Sequence, residues 1–484
     1  MKTLRTDPGA KRLMESLRNM GYDCSTAIAD LVDNSITAEA SEIYIDIIAR
    51  QDARADMIPK QESHPAAIVI ADNGKGMSRD ELHEAMRFGT IQNYSIGDLG
   101  KYGLGLKTAS LSQCRILTVS SKAKASSGVR PRRHIMRWDI DHVYETNDWD
   151  LLVPEEEELE SWEKEALNHQ VTNENGTVVL WSGLDGPLSL LSSPNIRERE
   201  KALARVMEEV TNHLRMVFHR FMQGVPGRRK LTIYVCGVPI VPWDPFCRNE
   251  KTSELDLLRI PVVSAEPDGS QMEGTVIVSP YVLPREDEFS SRAAWTDASG
   301  PKNWNQQQGL YFYRNNRLLQ AGGWSRLRTI DEHTKLLRVA VDFPSELDRT
   351  FAINITKMRA NVPVEIRERI ESSVSGWAKT ARARYDTPPS VVENPRQSPR
   401  IETPVMASVS GSNGSPVPAM ESEKYPAFTL APELSEILSD NGVKWELRKF
   451  CGALLKVLEA IHDRRINPEQ IPVNILKKIY QNDL

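Results

Sequence analysis

The hydrophobic residues of this chain recur with two spacings, and each spacing predicts one kind of element. Apolar side chains three and four residues apart, typical of a helix face turned to a core, run from about Arg197 to Gln223 and from about Pro363 to Tyr385. Short apolar runs bounded by turn residues predict strands instead. These runs begin at Leu231, Gly274, Gly309 and Leu336. The chain is therefore expected to be an α/β protein.

The same patterns divide the chain into four parts. Gly224 to Gly227 ends the first long helix, so we expect one α/β domain over residues 1–224 and a second over 225–386. Residues 387–426 are rich in Pro and Ser, which predicts an extended or disordered linker. A helical pattern returns in residues 427–484 and predicts a small helical tail. The tail is either a hairpin that packs on the body or an element that dimerises or binds a partner.

Composition narrows the class of protein. The 484 residues include 61 Lys plus Arg and 66 Asp plus Glu, and a net charge of -5 argues against coating nucleic acid by bulk electrostatics. No segment approaches the ~20 consecutive apolar residues of a membrane helix, and the N-terminus lacks the apolar core of a signal peptide. The 5 cysteines contain no CxxC pair, which argues against a disulfide framework or a zinc finger. We therefore expect a cytoplasmic protein without a membrane anchor.

The first candidate site lies in the helical pattern from Ala27 to Ser35. Helical spacing places Asp30 and Asn34 one turn apart on the same face, with Asp33 beside them. A carboxamide oxygen can ligate Mg²⁺ while a neighbouring carboxylate orients a water molecule. Taken alone, the pattern is also that of a solvated acidic helix face.

The second candidate site follows the apolar run that begins at Ala67. This predicted buried strand ends in Asp72, and Gly74 and Gly76 follow. A carboxylate at a strand end, with glycines that let a flat ligand approach, can accept a hydrogen bond from an exocyclic amine such as that of adenine. In isolation the same residues also suit a simple Asx turn.

The third candidate site is a glycine series that leads into a predicted helix. Gly100, Gly103 and Gly105 precede a helix beginning near Leu106, and Lys107 adds a positive charge. Main-chain N–H groups at a helix start favour phosphate. The series is not a Walker A loop, because Leu106 stands where that motif requires Lys, and it is not a dinucleotide-binding fingerprint. A flexible glycine loop is the alternative.

The order and spacing of the three motifs resemble those of the GHKL, or Bergerat-fold, ATPases, which include gyrase B, MutL, MORC proteins, heat-shock chaperones and histidine kinases. The segment from Asn175 to Leu184 resembles the late strand of that family, whose Gly-Thr supports the adenine-binding aspartate. The resemblance covers about residues 12–185. It implies a two-layer sandwich of a mixed or antiparallel sheet with helices on one face.

The resemblance also implies the cofactors, ATP and Mg²⁺, and the site residues. Asn34 would ligate Mg²⁺, Asp72 would bind the adenine amine and Gly76 would let the base approach. Asp30 stands where the family has Glu as general base. Either the site is adjusted to Asp, or its shorter side chain leads to slow turnover, which is what we expect. A lid would extend from about Arg87 to Gly103. The remaining nucleotide contacts would come from Gly74, Met77, Gly100, Lys101, Tyr102, Gly103, Leu104, Gly105, Leu106, Lys107 and Thr177.

The second domain narrows the resemblance further. Residues Gly309 to Trp324 resemble the YRNNRL-type strand-turn-strand of the transducer domain in MutL and MORC proteins. The segment from Ile353 to Pro363 resembles the loop that sends a lysine, here Lys357, to the terminal phosphate as a catalytic contact. A surface lysine in a strand-to-helix loop is the alternative. The chain therefore resembles a MORC-like protein, or a related bacterial ATPase of an antiviral defence or restriction module.

Within that group, ATP closes two chains into a clamp that can trap DNA. The resemblance thus implies a homodimer on ATP binding, and a basic region from Lys122 to Arg137 is the candidate contact for double-stranded DNA. Its cations are Lys122, Lys124, Arg130, Arg132, Arg133 and Arg137. The alternatives for this region are a solvated hairpin tip, or a patch screened by the acidic run that begins at Glu155. A different reading of the whole chain is a nucleotide-dependent switch that hydrolyses little ATP and recruits an effector protein through its tail.

Overall fold

The computed structural model describes residues 8–19, 21–52, 63–89, 105–125, 131–265, 271–352 and 362–387. Apart from Thr387, the predicted linker and helical tail lie outside these residues. Helices of the first part are α1 (Ala10–Arg18), α2 (Cys24–Thr37), α3 (Arg79–Met86), α4 (Gly105–Leu111), α5 (Ile140–Thr146), α6 (Ser161–Leu167), α7 (Ile196–Val217) and α8 (His219–Gln223). Its strands are β1 (Glu42–Ile48), β2 (Ala67–Asp72), β3 (Cys114–Lys122), β4 (Arg133–Asp139), β5 (Gly176–Leu184), β6 (Thr232–Val235) and β7 (Val238–Pro239).

Within the described residues, these seven strands form one mixed sheet in the order β4-β3-β5-β2-β1-β6-β7. Neighbours are antiparallel except β1 and β6, which are parallel. β2 lies at the centre and all six of its residues are buried. A strand covered on both faces can be apolar throughout, which explains the continuous run in its sequence.

Helices cover the two faces of this sheet unequally. On one face, Ile43, Ile68 and Trp181 belong to a large core that also takes in residues of α1, α2, α4 and α7. On the other face, Val69 and Leu180 pack in a smaller cluster with residues from α6. The structure confirms the predicted two-layer α/β architecture with a mixed sheet. It adds α6, which covers part of the face that was expected to be bare.

The strand predicted at Leu231 belongs to this first sheet, not to the second domain. β6 runs parallel to β1, with Thr232 opposite Glu42, and Ile233 lies in the first core. The expected boundary at residue 224 is therefore corrected, because the first sheet continues to Pro239. The turn after α8 ends the helix, but the chain then returns to fill the open hydrogen-bonding edge of β1.

A second sheet follows in the order β12-β11-β13-β10-β8, with β9 paired to β10, and β11 is parallel to β13. Its elements are β8 (Ser253–Glu254), β9 (Leu258–Ala265), β10 (Gln271–Val282), α9 (Arg292–Ala298), α10 (Trp304–Gln307), β11 (Gly309–Arg314), β12 (Arg317–Ala321), β13 (Leu337–Phe343) and α11 (Val364–Asp386). Ile370 and Val374 of α11 belong to one core of this sheet, and Phe246 and Met216 to a second cluster. None of the helices in the described part of the chain has the length and apolar character needed to cross a bilayer.

Candidate active site

The predicted metal-binding and base residues lie on α2, which is buried along almost its whole length. The helix begins after Asp23, whose carboxylate accepts a hydrogen bond from the main-chain N–H of Thr26 at 2.8 Å. Residues 26–33 are buried, as are the two residues after Asn34, whereas Asn34 itself is exposed. An exposed carboxamide on a buried helix is well placed to offer its oxygen to a ligand in front of the helix.

Asp30 is held by two side chains from outside α2. The phenol O–H of Tyr22 donates to Asp30 Oδ2 at 2.8 Å, and Nη2 of Arg317 lies 3.6 Å from Asp30 Oδ1. Burial, and then the neighbouring carboxylate, raise the pKa of Tyr22 above its ordinary value, so the phenol keeps its proton and remains a donor. A Cβ added to Gly105 would lie 3.8 Å from Asp30 Oδ2. The carboxylate therefore lies beside the first turn of α4.

Asp72 ends β2 in a polar environment. Its Oδ2 accepts a hydrogen bond from the Ser35 hydroxyl, and its Oδ1 accepts one from the Gly74 N–H, both at 2.8 Å. Burial raises the pKa of the Asp72 carboxyl, and the hydrogen bonds from Gly74 and Ser35 act in the opposite direction. Because Ser35 directly follows Asn34, its bond to Asp72 joins the second motif to the helix of the first.

Thr177 lies opposite Asp72 on β5, as expected for the family's late strand. Its hydroxyl is 2.8 Å from Ser121 Oγ, and the same Ser121 oxygen accepts a hydrogen bond from the Met77 N–H at 2.9 Å. Asn175 Nδ2 donates to the carbonyl of Gly74 at 2.6 Å. These bonds join β3, β5 and the turn after β2 into one wall beside Asp72.

Glycines let the backbone segments of this wall approach each other. Gly76 has φ of 63°, and an added Cβ would lie 1.9 Å from the Lys122 carbonyl oxygen. Gly176 has φ of 137°, and an added Cβ would lie 2.0 Å from the Asp72 carbonyl oxygen. At Gly74 the added atom would lie 2.9 Å from Asp72 Oδ1. Gly76 was expected to let a base approach; in the structure its missing side chain makes room for the end of β3.

Lys107 extends into the protein interior, which corrects the expectation that it contacts phosphate. Leu106, its neighbour on α4, is partly buried against the first core. Lys107 is 1% exposed, and its Nζ donates to the Ala85 carbonyl in the last turn of α3 at 2.8 Å. Burial lowers the pKa of this ammonium to about 8. The third residue of α4 lies on the helix face that meets α3, so its charge links the two helices.

Several predicted site residues lie outside the described part of the chain. The predicted lid is described only as far as Gly89, and Lys357 falls in the segment 353–361, which is not described. The other such residues are Gly100, Lys101, Tyr102, Gly103 and Leu104. The described residues therefore include Asp30, Asn34 and Asp72, together with Gly105 at the start of the helix that follows the glycine series.

Two arginines of the predicted DNA-contacting region are held under α6. Nη2 of Arg137 pairs with Glu163 Oε1 of α6 at 2.6 Å, and Glu163 belongs to the acidic stretch. Arg133 Nη1 donates to the Leu167 carbonyl at the end of α6 at 2.7 Å. The expectation that these two arginines form an open DNA surface is therefore corrected, since both side chains bond to α6 beside the sheet.

The remaining cations of this region differ in exposure. Lys122 Nζ donates to the Asn173 carbonyl at 2.6 Å. Within the described residues, Lys124 and Arg132 are the exposed members, while Arg130 falls in an undescribed stretch. The region thus offers a smaller basic surface than its sequence suggests.

Sequence reasoning missed four residues that shape this site: Tyr22, Ser35, Ser121 and Arg317. Arg317 lies within the hairpin that resembles the transducer motif, yet 284 residues separate it from its partner Asp33. No spacing rule connects residues so far apart. Ser35 and Ser121 carried no signal beyond their polar character within otherwise apolar segments.

The chain offers oxygen donors that fit Mg²⁺. Within the described ranges, no group of three or more His, Cys, Asp or Glu side chains could hold a metal ion. The exposed carboxamide of Asn34 lies one helical turn from Asp30. Mg²⁺ is commonly bound by one or two protein oxygens together with waters and substrate phosphates. Asn34 therefore suits a metal whose other ligands come largely from a nucleotide.

Comparison with known families agrees with this geometry. Residues 22–177 match the model of the histidine kinase-, DNA gyrase B- and HSP90-like ATPases. The matched range contains Asp30, which lies beside Gly105, and Asp72, which is bonded to Ser35 directly after Asn34. This part of the chain is a GHKL ATPase domain. MORC proteins are among the relatives of the domain.

Two of these relatives are curated MORC proteins. Protein MICRORCHIDIA 5 of Arabidopsis thaliana is 25% identical over 183 residues, which are 36% of this chain and 25% of that protein. ATPase morc-1 of Caenorhabditis elegans is 33% identical over 97 residues, which are 20% of this chain and 10% of that protein. The matched part of the chain thus spans a quarter or less of these relatives. Among solved structures, the N-terminal domain of a DNA repair protein aligns with 78% of this chain and 97% of that one, with a TM-score of 0.38 and 15% identity.

Proposed function

We propose that this chain binds ATP together with Mg²⁺ and hydrolyses it at the site formed by α2, β2 and α4. The observation that carries the proposal is the hydrogen bond between Ser35 and Asp72, because it joins the proposed adenine-binding carboxylate to the helix that bears Asp30 and Asn34. Asp30 in turn lies beside Gly105 at the start of α4. Asp72 of the second motif and Gly105 of the third therefore both lie beside α2, which carries the first motif.

Each residue would have one task in this reaction. Asp72 accepts a hydrogen bond from the exocyclic amine of adenine, and Asn34 holds Mg²⁺, which when bound offsets the charge of the phosphates. Asp30 accepts the proton of the attacking water. Its side chain is one methylene shorter than that of Glu, and a misplacement of about 1 Å can cost on the order of 100-fold in rate. Slow turnover is therefore expected. The proposed contact of Lys357 with the terminal phosphate lies outside the described residues.

Three substitutions separate binding from chemistry. Calorimetry with ATP and Mg²⁺, together with phosphate release, would be compared for the wild type, Asp30→Asn, Asn34→Ala and Asp72→Asn. Asp72→Asn should weaken ATP binding by about 10-fold or more, because it loses a charged hydrogen-bond acceptor. Asp30→Asn should keep ATP affinity and lose about 100-fold or more in rate. If Asp30→Asn turns over at the wild-type rate while Asn34→Ala is inactive, the general base is another residue.

We further propose that ATP brings two copies of the chain together as a clamp on double-stranded DNA. The support is the resemblance to MutL and MORC proteins, with Lys124 and Arg132 as exposed cations for a phosphate backbone. Mass measurement without nucleotide, with ADP and with a non-hydrolysable ATP analogue should give a dimer only with the analogue. Retention of DNA should require the analogue and fall with salt. A monomer in all three states would remove the clamp model.

A nucleotide-dependent switch with little hydrolysis is the second candidate, and its tail would recruit an effector protein. The observation that favours it is Asp30 at the position of the general base, because its side chain is one methylene shorter than that of Glu and a misplaced base slows hydrolysis. The two candidates differ in rate. ATP-dependent dimerisation with phosphate release no faster than in Asp30→Asn would favour the switch, whereas release about 100-fold faster would favour the ATPase clamp.

A further inference from the structure

A buried arginine crosses from the second sheet into the acidic face of α2. Arg317, the first residue of β12, is 3% exposed. Its Nε lies 2.9 Å from Asp33 Oδ1 and 2.8 Å from Asp33 Oδ2, while its Nη2 lies 3.6 Å from Asp30 Oδ1. One guanidinium from the second sheet thus forms ion pairs with two carboxylates of the GHKL domain.

The hairpin between β11 and β12 fixes the direction of this side chain. Asn315 and Asn316 form its turn with φ of 47° and 70°, a backbone that suits a two-residue hairpin and that Asn tolerates. Across the turn, Arg314 is paired with Arg317 in the strand register. Arg314 binds Asp348 through two hydrogen bonds of 2.6 Å and 2.9 Å. The first arm is therefore anchored to the loop that follows β13, and the other arm reaches α2.

The charges on α2 explain why a cation belongs there. Asp30 and Asp33 are three residues apart on one helix and both are buried, so two ionised carboxylates would repel each other at low local dielectric. A buried carboxyl that lacks a compensating cation tends to take up a proton. A protonated Asp30 has no capacity to accept a proton from water, and its carboxylate also needs a fixed orientation because its side chain is short.

We propose that Arg317 is a positioning residue for Asp30, which it keeps ionised and oriented, so that the hairpin of the second sheet completes the ATPase site of the same chain. Tyr22 fixes Asp30 Oδ2, and Arg317 faces Oδ1. Asp33 holds the guanidinium in place. This inference rests on the proposed function, because it assigns Asp30 the task of general base.

The test compares Arg317→Met and Arg317→Lys with a matched control, Arg338→Lys. Arg338 is an equally buried arginine of the second sheet that donates to the main-chain carbonyls of Pro245 and Ala298. ATP affinity, kcat and the pH dependence of kcat would be measured for each. We expect Arg317→Met to keep ATP affinity while kcat falls by about 10-fold to 100-fold. The acid limb of its pH profile should move to higher pH by about one unit or more, because Asp30 loses a neighbouring positive charge.

Arg317→Lys should restore the position of the acid limb but not the full rate, because an ammonium keeps the charge without the two-pronged geometry of the guanidinium. The control Arg338→Lys should leave the acid limb in place. Unchanged kcat and an unchanged acid limb in both Arg317 variants would overturn the inference. If Arg317→Met does not fold, Arg317→Lys alone tests the inference. The inference then requires that Arg317→Lys has a lower kcat than the wild type at unchanged ATP affinity.

A readout without turnover separates this inference from the proposed function. A titration of the Asp30 carboxyl by ¹³C nuclear magnetic resonance, without nucleotide, should show a midpoint at higher pH in Arg317→Met than in the wild type. Equal midpoints would overturn the inference even in an active enzyme. Equal rates of phosphate release by Asp30→Asn and the wild type would instead contradict the general-base proposal. In that case the titration would still show whether Arg317 affects the charge of Asp30.

Discussion

Single buried charges join neighbouring elements around the active site. Lys107 donates from α4 to the last turn of α3, and Arg317 carries its charge from the second sheet to Asp33. A buried ionisable group costs free energy when it is charged, unless bonds to its surroundings offset the lost hydration. When the pKa of such a residue differs between the folded and the unfolded chain, the free energy of unfolding depends on pH. Substitution of the residue then removes that dependence.

Lys107 should make the stability of the folded chain rise between about pH 8 and pH 10. Burial lowers its pKa to about 8 from an ordinary value of 10.5, so within that window the unfolded chain binds more protons than the folded chain. Urea unfolding at several pH values should show this rise in the wild type and a flatter curve in Lys107→Met. The control is Lys201→Met, which changes an exposed lysine of α7 and should keep the wild-type slope. Equal slopes in all three proteins would contradict the prediction.

At the scale of elements, short helices near the site depend on their caps. α3 spans only 8 residues and begins with a capping box, in which the Ser78 hydroxyl accepts from the Glu81 N–H and the Glu81 carboxylate accepts from the Ser78 N–H. Asp80 and Glu81 also place negative charge in its first turn, where the helix dipole favours it. An isolated helix of this length is marginal, so its cap and its packing on neighbouring elements both stabilise it.

Removal of the cap of α3 should lower the stability of the fold without changing its architecture. Ser78→Ala deletes the acceptor for the Glu81 N–H, and the loss of such a cap typically costs about 1 kcal/mol. Ser78→Thr keeps the hydroxyl and should lie closer to the wild type. The free energy of unfolding from urea titration measures both variants. A loss as large in Ser78→Thr as in Ser78→Ala would show that the hydroxyl is not the cause.

At the scale of the whole molecule, α8 carries polar contacts between the two sheets. His219 of α8 and the hydroxyl of Tyr313 on β11 are 2.8 Å apart, and burial lowers the pKa of this histidine to about 4. The guanidinium of Arg220 lies 3.5 Å from the Tyr313 ring centre and also pairs with Asp342 of β13. Together with Arg317, these residues place polar bonds along the boundary where the second sheet meets the GHKL domain.

Arg220→Ala should weaken the contacts between the two sheets. The substitution leaves Asp342 without this cation and removes the guanidinium from the face of Tyr313, so we expect a loss of about 2 kcal/mol or more and a less cooperative thermal transition. Arg205→Ala is the control, because Arg205 pairs with Glu209 on the exposed surface of α7 and such pairs contribute about 0.5 kcal/mol or less. Calorimetry compares the two variants. A similar small effect in both would show that the sheets are held mainly by apolar packing.

The sequence by itself indicated several of the elements and the three local motifs. Apolar runs predict strands, helical spacing predicts α2 and α7, and the order of Asp30, Asn34, Asp72 and the glycines points to one nucleotide site. These features can be predicted from the sequence because each depends on residues that are close together in the chain. The Asn315-Asn316 turn was predictable for the same reason, and the structure contains it.

Only the tertiary structure decided which distant residues complete the site and where the first sheet ends. Leu231 begins a strand in any local reading, but its pairing with β1 depends on which sheet edge is open. The sequence predicted Lys107 as a phosphate ligand, whereas in the structure its Nζ donates to the Ala85 carbonyl of α3. Arg317 lies 284 residues from Asp33, and their contact exists because folding brings a hairpin of the second sheet to the buried face of α2. Hydrogen bonds and ion pairs depend on distance in space, which local sequence patterns do not specify.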